Sequence, residues 1–133
     1  PEHNFFTSAI VGGILPIAVG VAYAIKQAKG QWSYISESEW DDSGFTDADF
    51  HIIEDSKVCC FVGDMAATTG IFHETTSYAK YHDLPIRFII EDNSYSTNTP
   101  TRDITGYDIG HIADSYLYDR TMPHCGIGKF VHF

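Results

Sequence analysis

Two short apolar runs, separated by a helix-like segment, constrain the fold of this chain more than any other feature. Residues 58–62 read VCCFV and residues 88–92 read FIIED, and both runs are rich in β-branched or aromatic side chains. Each run has the length and composition of a buried strand. Between them, residues 69–82 carry apolar side chains at helical spacing. We therefore expect parallel strands over 57–62 and 86–92, joined by a helical crossover.

An oxygen-bearing side chain follows each predicted strand: Asp64 comes after the first and Asn93 after the second. Because ligands of open α/β sheets bind outside the carboxyl ends of the strands, both side chains should point into one crevice. A carboxylate, an amide oxygen and main-chain carbonyls suit a Mg²⁺ ion that also holds a diphosphate. Purely structural roles stay open as well, because Asp64 would suit the N-cap of the next helix and Asn93 would suit a turn.

The segment before the first strand has two parts of different character. We expect a helix from Pro16 to Lys29 that ends at Gly30, because proline suits a first helical turn and glycine suits the position just past the end. Residues 31–56 are acidic, with tryptophan and tyrosine interspersed. We interpret them as a surface insertion; a partner-docking loop is the functional alternative.

The segment after the second strand carries weaker signals. Residues 94–110 contain proline, glycine and asparagine, and we expect them to form a loop over the site. Residues 111–118 are expected to form a short helix. We interpret the whole chain, 1–133, as a single diphosphate- and magnesium-binding domain that is a fragment of a longer protein.

Composition argues against several classes of function. The 133 residues carry a formal net charge of −10, which disfavours nucleic acid or an anionic membrane as a partner, because both require a basic surface. The apolar stretch 9–25 is too short and too interrupted by glycine and proline for a membrane span. Three cysteines give no disulfide framework, which indicates a reducing compartment.

Several segments resemble the thiamine-diphosphate signature, in which GDG is followed after about thirty residues by NN. Residues 63–74 read GDMAATTGIFHE, residues 84–85 read LP, and residues 91–95 read EDNSY. Upstream, residues 9–25 read AIVGGILPIAVGVAYAI. In this order and at this separation, the segments are most similar to the alpha subunit of 2-oxo acid dehydrogenases, the family of the pyruvate, branched-chain and acetoin enzymes.

The resemblance implies a fold and a metal site. The implied fold is α/β, a three-layer, doubly wound and mostly parallel sheet of the thiamine-diphosphate-binding type, incomplete at its N-terminus. The implied Mg²⁺ ligands are Asp64, Asn93 and the main-chain carbonyl of Tyr95. Diphosphate oxygens and water would complete the octahedron.

The resemblance also implies which residues hold the organic cofactor. Met65 and Ala66 match positions at the diphosphate, and Met65 stands where the family has the second glycine of GDG. The backbone groups of Ala9 and Val11 match those that hold the aminopyrimidine ring. Asp92 replaces the first asparagine of NN, a position that is not the principal metal ligand in the family.

The function implied by the resemblance is that of an alpha-type subunit in the oxidative decarboxylation of a 2-oxo acid or a related carbonyl compound. A beta-type subunit in a hetero-oligomer, such as a heterotetramer, would carry the pyrimidine-binding domain and the catalytic glutamate. We therefore expect no activity from this chain alone. The expected compartment is the cytoplasm, or the mitochondrial matrix in a eukaryote.

Three alternatives stay open at this point. A non-catalytic relative would keep the fold and bind a nucleotide or a metal, and Met65 gives it some support. A thiamine-diphosphate decarboxylase or transketolase-like enzyme would use the same scaffold. A nicotinamide- or flavin-binding module is less favoured, because no G-x-G-x-x-G follows a strand.

Overall fold

A computed structural model describes residues 5–32, 56–105 and 114–122 of the chain. In chain order the elements of these residues are α1 (Ile14–Trp32), β1 (Val58–Gly63), α2 (Asp64–Ala67), α3 (Gly70–Tyr81), β2 (Ile86–Asp92), β3 (Tyr95–Ser96), β4 (Thr99–Pro100), α4 (Thr101–Thr105) and β5 (Asp114–Leu117). The predicted α/β class is confirmed.

The central feature is a parallel sheet in which the described strands take the order β1–β2–β5. Val58 pairs with Ile86 at one end, and Gly63 pairs with Glu91 at the other. The chain leaves β1 through α2 and α3 and returns as β2, so the predicted strand–helix–strand crossover is confirmed. This register places the carboxyl ends of β1 and β2 side by side, and the residues that follow them start from the same edge of the sheet.

The core lies between one face of the sheet and the two longer helices. Alternate strand residues, including Cys60, Val62 and Ile90, pack with α1 and α3 because successive side chains of a strand point to opposite faces. The largest fully buried side chains are Phe72, Leu15 and Ile90. Burial raises the pKa of the Cys60 thiol above its usual value, as expected for a small apolar core residue.

The described helices leave the opposite face of the sheet open. Cys59 and Arg87 are exposed there, and the side chain of Phe61 is 51% exposed. Parallel sheets are normally covered on both faces. The third layer of the predicted arrangement would cover this face, and it is not among the described residues.

The helix predicted over residues 111–118 was wrong, because residues 114–117 form strand β5. Residues 111–113 lie outside the described residues. Two side-chain bonds accompany its pairing with β2: Arg87 Nε donates to Asp114 Oδ2 at 2.5 Å, and the Tyr116 hydroxyl donates to Glu91 Oε1 at 2.5 Å. The second bond raises the pKa of Tyr116. The strand exists because β2 offers a pairing edge, which no local pattern in the sequence reveals.

Helix α1 is longer than predicted at both ends. It begins at Ile14, so Pro16 still lies in its first turn, where a missing N–H does no harm. It continues through Gly30 to Trp32, and the prediction that the helix ends at Gly30 was wrong. Glycine lowers helix stability without forcing a stop. Residues 33–55, most of the predicted insertion, lie outside the described residues.

The predicted loop over residues 94–110 is partly ordered into a hairpin, β3–β4, followed by α4; residues 106–110 are outside the described residues. The hairpin turns tightly, and Ser94 and Thr97 adopt positive φ angles of 62° and 56°. Within the described residues, no helix has the length and apolar character needed to cross a membrane.

Two glycines of the α1 region should respond oppositely to alanine. Gly12 has a φ of 76°, and a Cβ there would lie 3.2 Å from Ile71 Cγ2, so Gly12→Ala should lower the free energy of unfolding by about 1–2 kcal/mol. Gly20 lies inside α1 with no atom within 4 Å of an added Cβ, so Gly20→Ala should raise it by about 0.5–1 kcal/mol. Urea denaturation of both variants checks the signs; equal effects would contradict the left-handed turn at Gly12.

Candidate active site

Asp64 lies where β1 ends and α2 begins, and only 3% of the residue is exposed. The structure does not place it as the N-cap, because Gly63 takes that position with extended backbone and Asp64 is the first helical residue. Its carboxylate instead accepts a hydrogen bond from the Thr101 hydroxyl, with 2.5 Å between Oγ1 and Oδ2. No hydrogen bond from the described residues reaches Oδ1. Among the residues that the structure describes, one oxygen of this buried carboxylate thus has no hydrogen-bond donor.

Asn93 follows β2 directly and is half-buried. Its Oδ1 accepts a hydrogen bond from the Tyr95 main-chain N–H at 2.9 Å, and its Nδ2 donates to the Tyr118 hydroxyl at 3.0 Å. The turn role considered for Asn93 is thus present. An amide oxygen has two lone pairs, so this bond leaves Oδ1 with capacity for a cation.

Tyr95 begins the β3–β4 hairpin, where it is paired with Pro100. Proline has no N–H, so this pairing cannot use the Tyr95 carbonyl as an acceptor. The carbonyl that the resemblance assigns to Mg²⁺ therefore takes no ladder bond from its partner strand. Asp92, the neighbour of Asn93, also serves the turn, since its Oδ1 accepts from the Ser94 N–H at 2.8 Å.

Arg120 holds this hairpin from the segment that follows β5. Its guanidinium donates to the Thr97 main-chain carbonyl and lies over the Tyr95 ring, 5.4 Å from the centroid. Tyr118 adds a second link, because its N–H donates to the Asp92 carbonyl at 2.9 Å. The end of β2 and the turn after it are thus fastened to the segment that follows β5 by both backbone and side-chain bonds.

Replacing Arg120 should loosen the hairpin without unfolding the core. Arg120→Gln removes the cation over Tyr95 and shortens the reach to the Thr97 carbonyl, which together contribute about 1–2 kcal/mol. We expect faster amide exchange in residues 95–100 and unchanged exchange in α3. Arg102→Gln, at an exposed position of α4, is the matched control. Equal exchange in both variants would show that Arg120 does not hold the hairpin.

The two residues predicted at the diphosphate lie in α2. Ala66 is 7% exposed and belongs to the core, and Met65 is half-buried. The Met65 sulfur lies 3.9 Å from Thr68 Oγ1, so this side chain packs along its own short helix. Gly63 has no side chain to cap the first N–H groups of α2. A contact made through backbone N–H groups is compatible with a methionine at position 65.

Ala9 and Val11 are both exposed in the turn that precedes α1. This turn is shaped by its own bonds, since Ile10 N–H donates to Ser8 Oγ at 3.2 Å and Gly13 N–H to the Ile10 carbonyl at 2.9 Å. It packs against the first turn of α3 through Gly12 and Ile71. The predicted pyrimidine-side residues are therefore placed next to the helix that follows the Asp64 turn.

A chelating cluster of acidic, histidine or cysteine side chains is not part of the predicted site. Within the described residues, no group of three or more such side chains could hold a metal ion. The predicted ligand set has a single carboxylate, with an amide oxygen and a main-chain carbonyl as the others, and diphosphate would supply further oxygens. Asp64 Oδ1, to which no described residue donates a hydrogen bond, fits such a shared site, because a buried polar oxygen is stabilised by a partner.

Sequence reasoning did not find Thr101, Tyr118 or Arg120. Thr101 lies 37 positions from Asp64 along the chain, in a segment predicted to be a loop. The sequence around a threonine does not show which distant side chain its hydroxyl will hydrogen-bond. Tyr118 and Arg120 follow strand β5, and a helix predicted over residues 111–118 gave no reason to place them beside the end of β2.

Comparison with known proteins gives two results. A family model described as the dehydrogenase E1 component matches residues 2–110. The mitochondrial alpha subunit 2 of 2-oxoisovalerate dehydrogenase from Arabidopsis thaliana is 29% identical over 101 residues, which are 75% of this chain and 16% of that protein. The chain therefore spans only a small part of the relative that it matches.

Proposed function

This chain belongs to the dehydrogenase E1 component family, and from that premise we propose that it is an alpha-type subunit that binds Mg²⁺ and thiamine diphosphate. The reaction would be the oxidative decarboxylation of a 2-oxo acid or a related carbonyl compound. The relative's name, 2-oxoisovalerate dehydrogenase, supports a branched 2-oxo acid as the substrate class to try first.

The observation that carries this proposal is the carboxylate of Asp64 at the carboxyl end of β1. It is buried, and its Oδ2 is bonded to Thr101. It follows β1, and Asn93 follows β2, the strand that pairs with β1. Ligands of α/β sheets bind at this edge. A buried carboxylate with one oxygen that no described residue hydrogen-bonds is better suited to a cation than to a purely structural task.

Each predicted residue has a role that its surroundings permit. Asp64 Oδ1, Asn93 Oδ1 and the Tyr95 carbonyl would hold Mg²⁺, and the N–H groups of Met65 and Ala66 would meet the diphosphate. The main-chain groups of Ala9 and Val11 would orient the aminopyrimidine ring. No described residue forms a hydrogen bond with these groups. Thiamine diphosphate, when bound, supplies the carbanion-stabilising chemistry that decarboxylation needs.

A second chain would complete the site. The N-terminal turn exposes large apolar side chains: Phe5 is 88% exposed, Ile10 74% and Val11 80%. Large exposed apolar side chains that lie close together in the sequence are typical of surfaces that are covered in an assembly. We propose that a beta-type subunit with the pyrimidine-binding domain and the catalytic glutamate covers this turn, in a hetero-oligomer such as a heterotetramer.

The proposed domain is the whole of 1–133, with residues 31–56 as an acidic insertion. The proposed compartment is the cytoplasm, or the mitochondrial matrix in a eukaryote, which the relative's name supports. The exposed free Cys59 and buried free Cys60 are consistent with a reducing environment.

The test is a calorimetric titration of the full-length protein, assembled with its beta-type partner, with thiamine diphosphate. We expect saturable binding in Mg²⁺ that is lost in EDTA, and no comparable binding of a nicotinamide or flavin nucleotide. Binding without turnover of any 2-oxo acid would favour the non-catalytic relative. Absence of binding in Mg²⁺ would overturn the proposal.

A further inference from the structure

The Asp64–Thr101 pair is among the most deeply buried polar contacts that the structure describes. Asp64 is 3% exposed and Thr101 is 4% exposed, and their side chains meet at 2.5 Å. A hydrogen bond between a hydroxyl and a carboxylate is stronger where water is excluded than in water. Its geometry restricts rotation of the carboxylate, because Oδ2 must face the Thr101 hydroxyl.

Thr101 is also fixed to the turn that follows β2. Its main-chain N–H donates to the Ser94 carbonyl at 2.9 Å, and the Ser94 N–H donates in turn to Asp92 Oδ1 at 2.8 Å. The side chain of Thr101 thus bonds the carboxylate that follows β1, and its backbone bonds the turn that follows β2. The two halves of the proposed metal site meet at Thr101.

We propose that Thr101 is a positioning residue for the divalent cation. Its hydroxyl holds Asp64 Oδ2, which leaves Oδ1 as the oxygen that a cation would take, and its N–H binds the Ser94 carbonyl within the turn that carries Asn93 and Tyr95. This inference rests on the proposed function. It adds that the hydroxyl, rather than the shape of the side chain, is what the site requires.

Three substitutions separate the contribution of the Thr101 hydroxyl from that of its side-chain shape. Thr101→Val keeps the branched shape and removes the hydroxyl, whereas Thr101→Ser keeps the hydroxyl. Thr99→Val makes the same chemical change at an exposed position of β4 and serves as the control. All three are made in the full-length protein assembled with its partner.

The first readout is Mg²⁺ affinity, measured by calorimetry at saturating thiamine diphosphate. Outer partners of metal ligands typically contribute 10- to 100-fold in affinity, so Thr101→Val should weaken Mg²⁺ binding by at least about tenfold. Thr101→Ser and Thr99→Val should bind as the unaltered protein does. The Mg²⁺ concentration needed for half-maximal activity should rise in Thr101→Val, with the activity at saturating Mg²⁺ nearly kept.

The second readout is hydrogen exchange without metal or cofactor. Thr101→Val should expose the Ser94 and Thr101 amides to faster exchange, and Thr99→Val should not. Faster exchange with an unweakened Mg²⁺ affinity would overturn the positioning role and leave a structural bond. If Thr101→Val does not fold, Thr101→Ser decides, since a loss of Mg²⁺ affinity there also overturns the inference.

These outcomes separate the two proposals. An unaltered protein that binds no Mg²⁺–thiamine diphosphate overturns the proposed function, and the positioning role falls with it. An unaltered protein that binds it, beside a Thr101→Val variant with equal affinity, keeps the function and overturns the role of Thr101 alone.

Discussion

Replacing Asp64 by asparagine should abolish Mg²⁺-dependent binding of thiamine diphosphate while the fold persists. The change removes the only carboxylate of the proposed ligand set, and an amide binds Mg²⁺ far more weakly than a carboxylate does. We expect at least about a 100-fold loss of affinity, or about 2.7 kcal/mol. Calorimetric titration of the assembled protein in Mg²⁺ measures it.

The stability of the same variant distinguishes a ligand from a structural carboxylate. Asp64 is buried with a single hydrogen bond from the described residues, and an amide oxygen in its place could accept the same bond from Thr101. Asp64→Asn should therefore unfold at the same or a higher urea concentration when metal is absent. Asp119→Asn, at an exposed position, is the control. A large loss of metal-free stability, with cofactor binding retained, would show that Asp64 is structural.

Truncation of Phe72 should produce the largest loss of stability in the described part of the chain. The side chain extends from α3 and is fully buried against α1 and the sheet. Its ring packs edge-on against that of Phe88, with 5.9 Å between the ring centroids. Phe72→Ala leaves a cavity in this core and should lower the free energy of unfolding by about 3–5 kcal/mol. Urea denaturation followed by circular dichroism measures the change.

Tyr81→Ala provides the matched comparison. Tyr81 is on the same helix, near its end, and is 85% exposed. Its removal should change the free energy of unfolding by less than about 0.5 kcal/mol. Similar losses in the two variants would mean that Tyr81 is covered in the assembled protein or that Phe72 is not central to the core.

Strong local patterns predicted the elements that carry Asp64 and Asn93. Residues 58–62 and 88–92 are apolar runs too short for helices, and the segment between them has helical spacing, so β1, α3 and β2 were predicted within about one residue of their observed bounds. The position of Asp64 and Asn93 at one edge followed from the parallel crossover. These features depend on short-range pattern and on the handedness of the connection.

Features that depend on distant partners could not be predicted. β5 reads DSYL, with no alternation to mark a strand, and it is held by Arg87 and Glu91 of β2. The bond between Thr101 and Asp64 joins residues that nothing in the sequence relates. Gly30 marked a helix end in the sequence, although the helix continues past it.

The backbone of the hairpin next to the site has a kinetic consequence. Thr97 is β-branched yet adopts a φ of 56°, a conformation that costs about 1–3 kcal/mol and persists only where its surroundings hold it. Arg120 binds the carbonyl of this same residue. A hairpin that is held in this way would have little ordering entropy left to lose in the binding step. The rate at which such a protein captures its cofactor would then be set by diffusion and by the release of water from the metal.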